Sequence, residues 1–195
     1  MAGNKAFVMV DVQSDFFKGG ALEVPGAEGI VSRLNTIAQS FFEARMPVFA
    51  CRDWHPADHV SFKENGGKYP VHCVQGSPGA ELHPDLIQQG VTIVDKAYRR
   101  DDENMSAFAD GRIKEMLDLS VCKTVFIGGL TTEFGIKATA LDALRLGLEV
   151  FIVQEAIVPS KPHNGDRAIA ELVKAGAQFV SITEALSHLP KASIV

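Results

Sequence analysis

The sequence predicts an α/β protein, a mostly parallel, doubly wound sheet in one three-layer αβα domain over residues 1–195. Two observations lead there. Short apolar runs rich in Val, Ile and Phe alternate along the whole chain with amphipathic helical stretches, the pattern of βαβ units. Several of these runs end on a charged residue or a small-residue turn, as strands do where a parallel sheet opens onto a crevice.

The elements follow in order. Ala6–Val12 is a short apolar run carrying Asp11 near its end, read as a buried central strand. From Ala27 to Arg45 the apolar positions Ile30, Leu34, Ile37, Ala38, Phe41 and Phe42 fall at helical spacing, and Pro47 stops the helix. Val48–Cys51 is the second strand, with Arg52 and Asp53 at its end. Trp54 to Asp85 is rich in Gly, Pro and His and has no sustained period. A loop of that length in a compact domain is more often functional than idle. Val91–Val94 is the third strand, followed by Asp95 and Lys96, then a helix near Ala107–Leu119 with Ile113, Met116 and Leu117 inward. Thr124–Ile127 is the fourth strand. Gly128–Gly129 and Thr131–Thr132 turn it into a helix over Thr132–Leu146, closed by Gly147. Glu149–Val153, a helix over His163–Ala175, the strand Gln178–Ser181 and a short terminal helix complete the series. Near the start of the 163–175 helix, Asn164 or Asp166 is placed to satisfy free N–H groups.

The bulk numbers exclude several classes. The 195 residues are 46% hydrophobic and 22% charged, an ordinary globular composition. A net charge of −5 argues against a nucleic-acid binder. No apolar stretch is long enough to span a membrane, and the N-terminus has the wrong pattern for a signal peptide. Cys51, Cys73 and Cys122 lack CxxC spacing and read as reduced thiols, so a cytoplasmic location is expected.

Two constellations carry chemistry. Asp11, Asp53, Lys96 and the Gly128–Gly135 turn all lie at strand ends, where topology brings them around one crevice. Charges can also cap strands merely because loops are wet, but three in one sheet favour a site. The second constellation is Asp53-Trp54-His55-Pro56-Ala57-Asp58-His59, with His72 beyond it; four of the six histidines lie between positions 55 and 83. A carboxylate with imidazoles suits a divalent Zn, Mn or Fe ion, and Asp53, His55, His59 and His72 would leave room for water. A loop of hydrogen-bonded histidines without metal is the alternative. Nothing calls for an organic cofactor.

Five segments, VDVQSDF, DWHPADHVSF, HCVQGSPGAELHP, Lys96 and GGLTTEFGIKATALDA, resemble in order the nicotinamidases and pyrazinamidases of the isochorismatase-like cysteine hydrolase superfamily. The resemblance implies hydrolysis of a nicotinamide-like amide to acid and ammonia, a small-molecule substrate and a homo-oligomer. It implies Asp11 as general base or acid, Lys96 as the group that polarises the site, and Asp53, His55, His72 and in some members His59 as metal ligands, the metal anchoring the pyridine nitrogen. It further implies a cis Leu130–Thr131 peptide that aims the N–H groups of Thr131 and residue 135 at an oxyanion, with Phe16, Trp54 and Tyr69 lining the ring pocket. The family places its nucleophilic cysteine where this chain has Gly135. No thioester can form on glycine. Three readings follow: an amidohydrolase inactive or strongly impaired, an isochorismatase-type vinyl-ether hydrolase with Asp11 as general acid and room for substrate at Gly135, or a non-catalytic small-molecule binder. A metal-activated water is a further possible nucleophile.

Overall fold

Residues 4–190 are described by a computed structural model. Six strands form one sheet: β1 (Asn4–Val10), β2 (Val48–Asp53), β3 (Thr92–Lys96), β4 (Cys122–Leu130), β5 (Glu149–Val158) and β6 (Gln178–Val180). Their order is β3-β2-β1-β4-β5-β6 and every pairing is parallel. The chain winds outward from β1 in one direction and from β4 in the other. The switch point therefore lies between the carboxyl ends of β1 and β4, where Asp11 and the Thr131–Gly135 turn emerge.

Five helices cover the sheet: α1 (Glu28–Glu43), α2 (Arg112–Leu119), α3 (Lys137–Arg145), α4 (Pro162–Ala175) and α5 (Ile182–Ser187). The period-2 alternation of β1 divides the core. Phe7 and Met9 point to one face and pack with Ile30, Leu34, Ile37 and Phe41 of α1 and with Phe126 and Phe151. Ala6, Val8 and Val10 point to the other and pack with Ile113, Leu117, Ile136, Ala140 and Leu172 of the opposite helices. The three-layer αβα expectation holds, with the sheet entirely parallel.

Several boundaries differ from the sequence reading, each for a local reason. Gly128 and Gly129 belong to β4 rather than to the turn after it. Gly129 adopts φ 127° against the β1 backbone, where any Cβ would collide with Val10, so the strand continues to Leu130. The helix expected from Ala107 begins only at Arg112, after Gly111 in the left-handed region (φ 79°). Met116 on that helix is 39% exposed rather than inward. The helix expected from His163 starts at Pro162, a residue suited to the first helical position, and no side chain caps it. Gly176 (φ 106°) closes it in the left-handed conformation. At the terminal helix, Ser181 and Glu184 form a reciprocal capping box. Among the described residues no helix is long and apolar enough to cross a membrane.

Candidate active site

The strand ends do converge. A cavity of about 220 Å³ opens at the carboxyl edge of the sheet and is lined by Asp11, Asp53, Lys96, Thr131 and Gly135, by His55, His59 and His72, and by Phe16 and Tyr69. It is smaller than the roughly 300–1,000 Å³ of drug-sized pockets, a scale that suits one small ring. Trp54 is not among its walls. Its ring lies under the Arg52 guanidinium, 3.8 Å from the centroid, and packs on the core cluster of the α1 face. The resemblance implied that Trp54 lines the pocket; its packing under Arg52 and on the α1-face core turns it elsewhere.

Lys96 is the electrostatic centre. Its Nζ is 2.5 Å from Asp53 Oδ1 and 3.1 Å from Asp11 Oδ2, with all three side chains largely buried. Burial works against its ammonium, but the two carboxylates outweigh burial and hold its pKa above the usual lysine range. Burial also opposes the Asp53 carboxylate, yet Lys96 and His55 keep its pKa below the ordinary value. One ammonium cannot satisfy two carboxylates equally. Asp11, farther from Nζ, is pushed up to about 7, chiefly by burial and, against the pull of Lys96, by the Asp53 charge. Asp11 sits just beyond β1 with φ 53°, a left-handed conformation that aspartate tolerates better than most residues.

Three ligand-type side chains meet beside this group. Asp53, His55 and His72 can bring one ligand atom each within 4.8 Å of one another. His55 Nδ1 donates to the Ala97 carbonyl at 3.1 Å and His72 Nδ1 to the Pro70 carbonyl at 2.9 Å, which leaves Nε2 of each ring as the nitrogen available to a metal. Burial keeps His55 neutral down to about 4. One carboxylate and two imidazoles form a donor set that fits a divalent transition metal with open positions for water or ligand.

His59 does not join this set. Its Nδ1 accepts from the Ser61 N–H at 3.3 Å and lies 2.7 Å from the Ser61 hydroxyl, while its Nε2 lies 3.0 Å from the Asp102 carbonyl. Both nitrogens are engaged, and the ring stacks on His55 with centroids 4.1 Å apart. Its nitrogens are taken up by Ser61 and Asp102, and its ring backs His55.

At the centre of the β4 turn, residues Thr132–Ile136 form a single π-helical turn before α3, with the Ile136 N–H bonding back to the Thr131 carbonyl. The Leu130–Thr131 peptide is trans, where the resemblance implied cis. Gly135 lines the cavity, but it leaves no vacant space behind it. A Cβ there would lie 2.6 Å from Asp11 Oδ2 and 2.8 Å from both the Leu130 oxygen and Val10 Cγ1. The expectation that glycine at this position makes room for substrate is therefore corrected: Asp11, Leu130 and Val10 fill the space that a side chain would take. Cys51 is nearer to the site than its place within β2 suggested, since its thiol donates to Asp11 Oδ1 at 3.6 Å. It is fully buried, lies outside the cavity lining, and burial followed by the Asp11 charge pushes its pKa up. A protonated, enclosed thiol is not a substitute nucleophile.

Sequence reasoning overlooked four groups. Gln13 and Asp15 hold the backbone beneath the metal-type ligands, although both stand in the VDVQSDF motif. Phe134 forms a pocket wall, and Glu133 accepts from the Ser160 N–H and hydroxyl, tying the turn to the segment before α4.

The entirely parallel α/β sheet thus carries a carboxylate–lysine–carboxylate group and a metal-type donor set at its switch point. A family model for the isochorismatase domain matches residues 5–184, and the chain belongs to that family. The nicotinamidase of Escherichia coli (strain K12) is 31% identical over 92% of this chain and 96% of its own. The pyrazinamidase of Pyrococcus horikoshii, solved in complex with zinc, superposes with a TM-score of 0.88 at 40% identity, covering 91% of this chain and 99% of that one. PnC1 of L. infantum, solved with nicotinate, gives 0.85 at 28% identity over 95% and 96% of the two chains.

Proposed function

We propose that this chain is a nicotinamidase-like protein that binds a small neutral carboxamide such as nicotinamide beside a divalent metal, and that its acyl transfer is absent or strongly impaired. The observation that carries the reading is Gly135: the cavity retains Asp11, Lys96, Asp53, His55 and His72, but the position that relatives' chemistry would fill with a thiol has no side chain. When bound, the metal would supply a Lewis-acid anchor for a heteroaromatic nitrogen. Asp53, His55 and His72 would hold it. Phe16, Tyr69 and Phe134 would flank the ring, and Thr131 with Gly135 would face the carboxamide. Lys96 would keep Asp53 ionised and bias Asp11, whose carboxyl would exchange a proton with substrate or water. Loss of a nucleophile in hydrolases commonly costs several powers of ten in rate.

A second reading, a vinyl-ether hydrolase with Asp11 as acid, draws support from the Asp11 pKa of about 7. The lining weighs against it. Asp11, Glu23, Asp53 and Glu103 face one ammonium, Lys96, a poor environment for a dicarboxylate such as isochorismate. Non-catalytic binding is the limiting case of the first reading.

Calorimetry with zinc-loaded and chelator-treated protein tests the proposal. Nicotinamide should bind only to the loaded form, and conversion of isochorismate should be undetectable. Metal-independent nicotinamide binding, or rapid isochorismate turnover after chelation, would overturn it.

A further inference from the structure

Gln13 is fully buried and polar, and the chemistry proposed above does not use it. Its side-chain amide grips the Asp53 peptide from both sides. Nε2 donates to the Asp53 carbonyl at 2.7 Å and Oε1 accepts from the Asp53 N–H at 2.7 Å. Nε2 also donates to the Ala80 carbonyl at 2.9 Å. This two-point match of a primary amide to the N–H and C=O on either side of the Asp53 Cα fixes the backbone from which the Asp53 carboxylate projects.

Two residues on, Asp15 does the same for the other half of the donor set. Its Oδ2 accepts from the Cys73 N–H at 2.6 Å, and its Oδ1 accepts from the Ala21 N–H at 3.2 Å. Cys73 follows His72 directly and is held at φ 47°, a conformation a non-glycine residue keeps only when its surroundings impose it. The Cys73 carbonyl in turn accepts from the His55 N–H at 2.9 Å. The surrounding glycines are shaped to admit Asp15. A Cβ on Gly79 would collide with its carboxylate, and one on Gly20 with its backbone. The loop after β1 thus reaches both segments that supply ligand-type side chains, which are otherwise separated by a long loop.

We propose that Gln13 and Asp15 are positioning residues for the metal centre, Gln13 acting through Asp53 and Asp15 through Cys73 on His72. The inference rests on the metal site proposed above. In this account the pair sets the spacing of the three ligands before an ion arrives, so its loss weakens ion binding more than it weakens the fold. Outer-shell partners of this kind typically contribute about 10–100-fold in metal affinity.

The test is zinc competition against a chromophoric chelator, with the cobalt(II) absorption spectrum and urea unfolding of the metal-free protein measured alongside. Gln13→Ala and Asp15→Ala should each weaken zinc binding about 10–100-fold and alter the cobalt bands. Asp15→Asn, which keeps an oxygen acceptor for the Cys73 N–H, should recover most of the affinity. Should an alanine variant fail to fold, Gln13→Glu and Asp15→Asn are read in its place. Gln13→Glu lacks the donor to the Asp53 carbonyl and should weaken zinc more than Asp15→Asn does. Folded variants that bind zinc within about twofold of the parent, with an unchanged cobalt spectrum, would overturn the positioning role alone. A parent protein that binds no zinc would overturn the metal site and this inference together.

Discussion

At Gly135, Asp11 Oδ2, the Leu130 carbonyl and Val10 Cγ1 already fill the space that a Cβ would take. Adding a side chain there is therefore not free. Gly135→Ala should cost about 1–3 kcal/mol, as overpacking does in a filled site, read from urea unfolding; an unchanged midpoint would mean that Asp11 and the Leu130 carbonyl yield easily. Thr132 gives the opposite case. Its hydroxyl is buried without a hydrogen-bond partner, so Thr132→Val should be neutral or stabilising, because an unpaired buried hydroxyl costs about 1–3 kcal/mol. Asp11 supplies the pH dependence. Its folded pKa of about 7 lies above the ordinary 3.8, so the folded state binds more protons across that interval. Its stabilising contribution is therefore complete below about 3.8 and is lost as pH rises through 7. His55, neutral down to about 4 when folded, works in the other direction as pH falls. The metal-free parent should thus lose more stability between pH 5 and 8 than Asp11→Asn, a comparison that isolates the carboxyl. Equal slopes would place the Asp11 pKa near its unfolded value.

At the scale of elements, the site exists because three parallel strands end together. The β2–β3 register sets Asp53 opposite Lys96, and Asp11 follows β1 where the sheet's order switches. Removing the shared cation should strand two buried carboxylates. Lys96→Met is expected to cost about 3–5 kcal/mol in the metal-free protein at neutral pH, and the loss should shrink as the carboxylates are protonated in acid. Much of this was legible beforehand. A charged residue after an apolar run is a period signal with a topological consequence, so Asp11, Asp53 and Lys96 could be placed together from the sequence. His59 and Trp54 could not. Ligand spacing in sequence does not reveal that Ser61 and Asp102 occupy both nitrogens of His59. A resemblance in motif does not reveal that the Trp54 indole packs under Arg52. Gln13 and Asp15 were missed because they act through the backbone of residues far along the chain, and no spacing rule encodes that.

At the scale of the whole molecule, an isochorismatase-family sheet presents one small cavity whose acid, cation and metal-type ligands remain in place around a glycine. On the proposed reading, Gly135 stands where the nucleophile would be and has no side chain to supply one. The central claim is therefore about turnover, and the most direct measurement is ammonia released from nicotinamide by the zinc-loaded chain beside its Gly135→Cys variant. The account predicts release near background from the parent and a gain on the order of 100-fold or more in the variant, limited by how far Asp11 and the 130–135 turn give way. Fast release by the parent, unchanged or reduced in the variant, would contradict it.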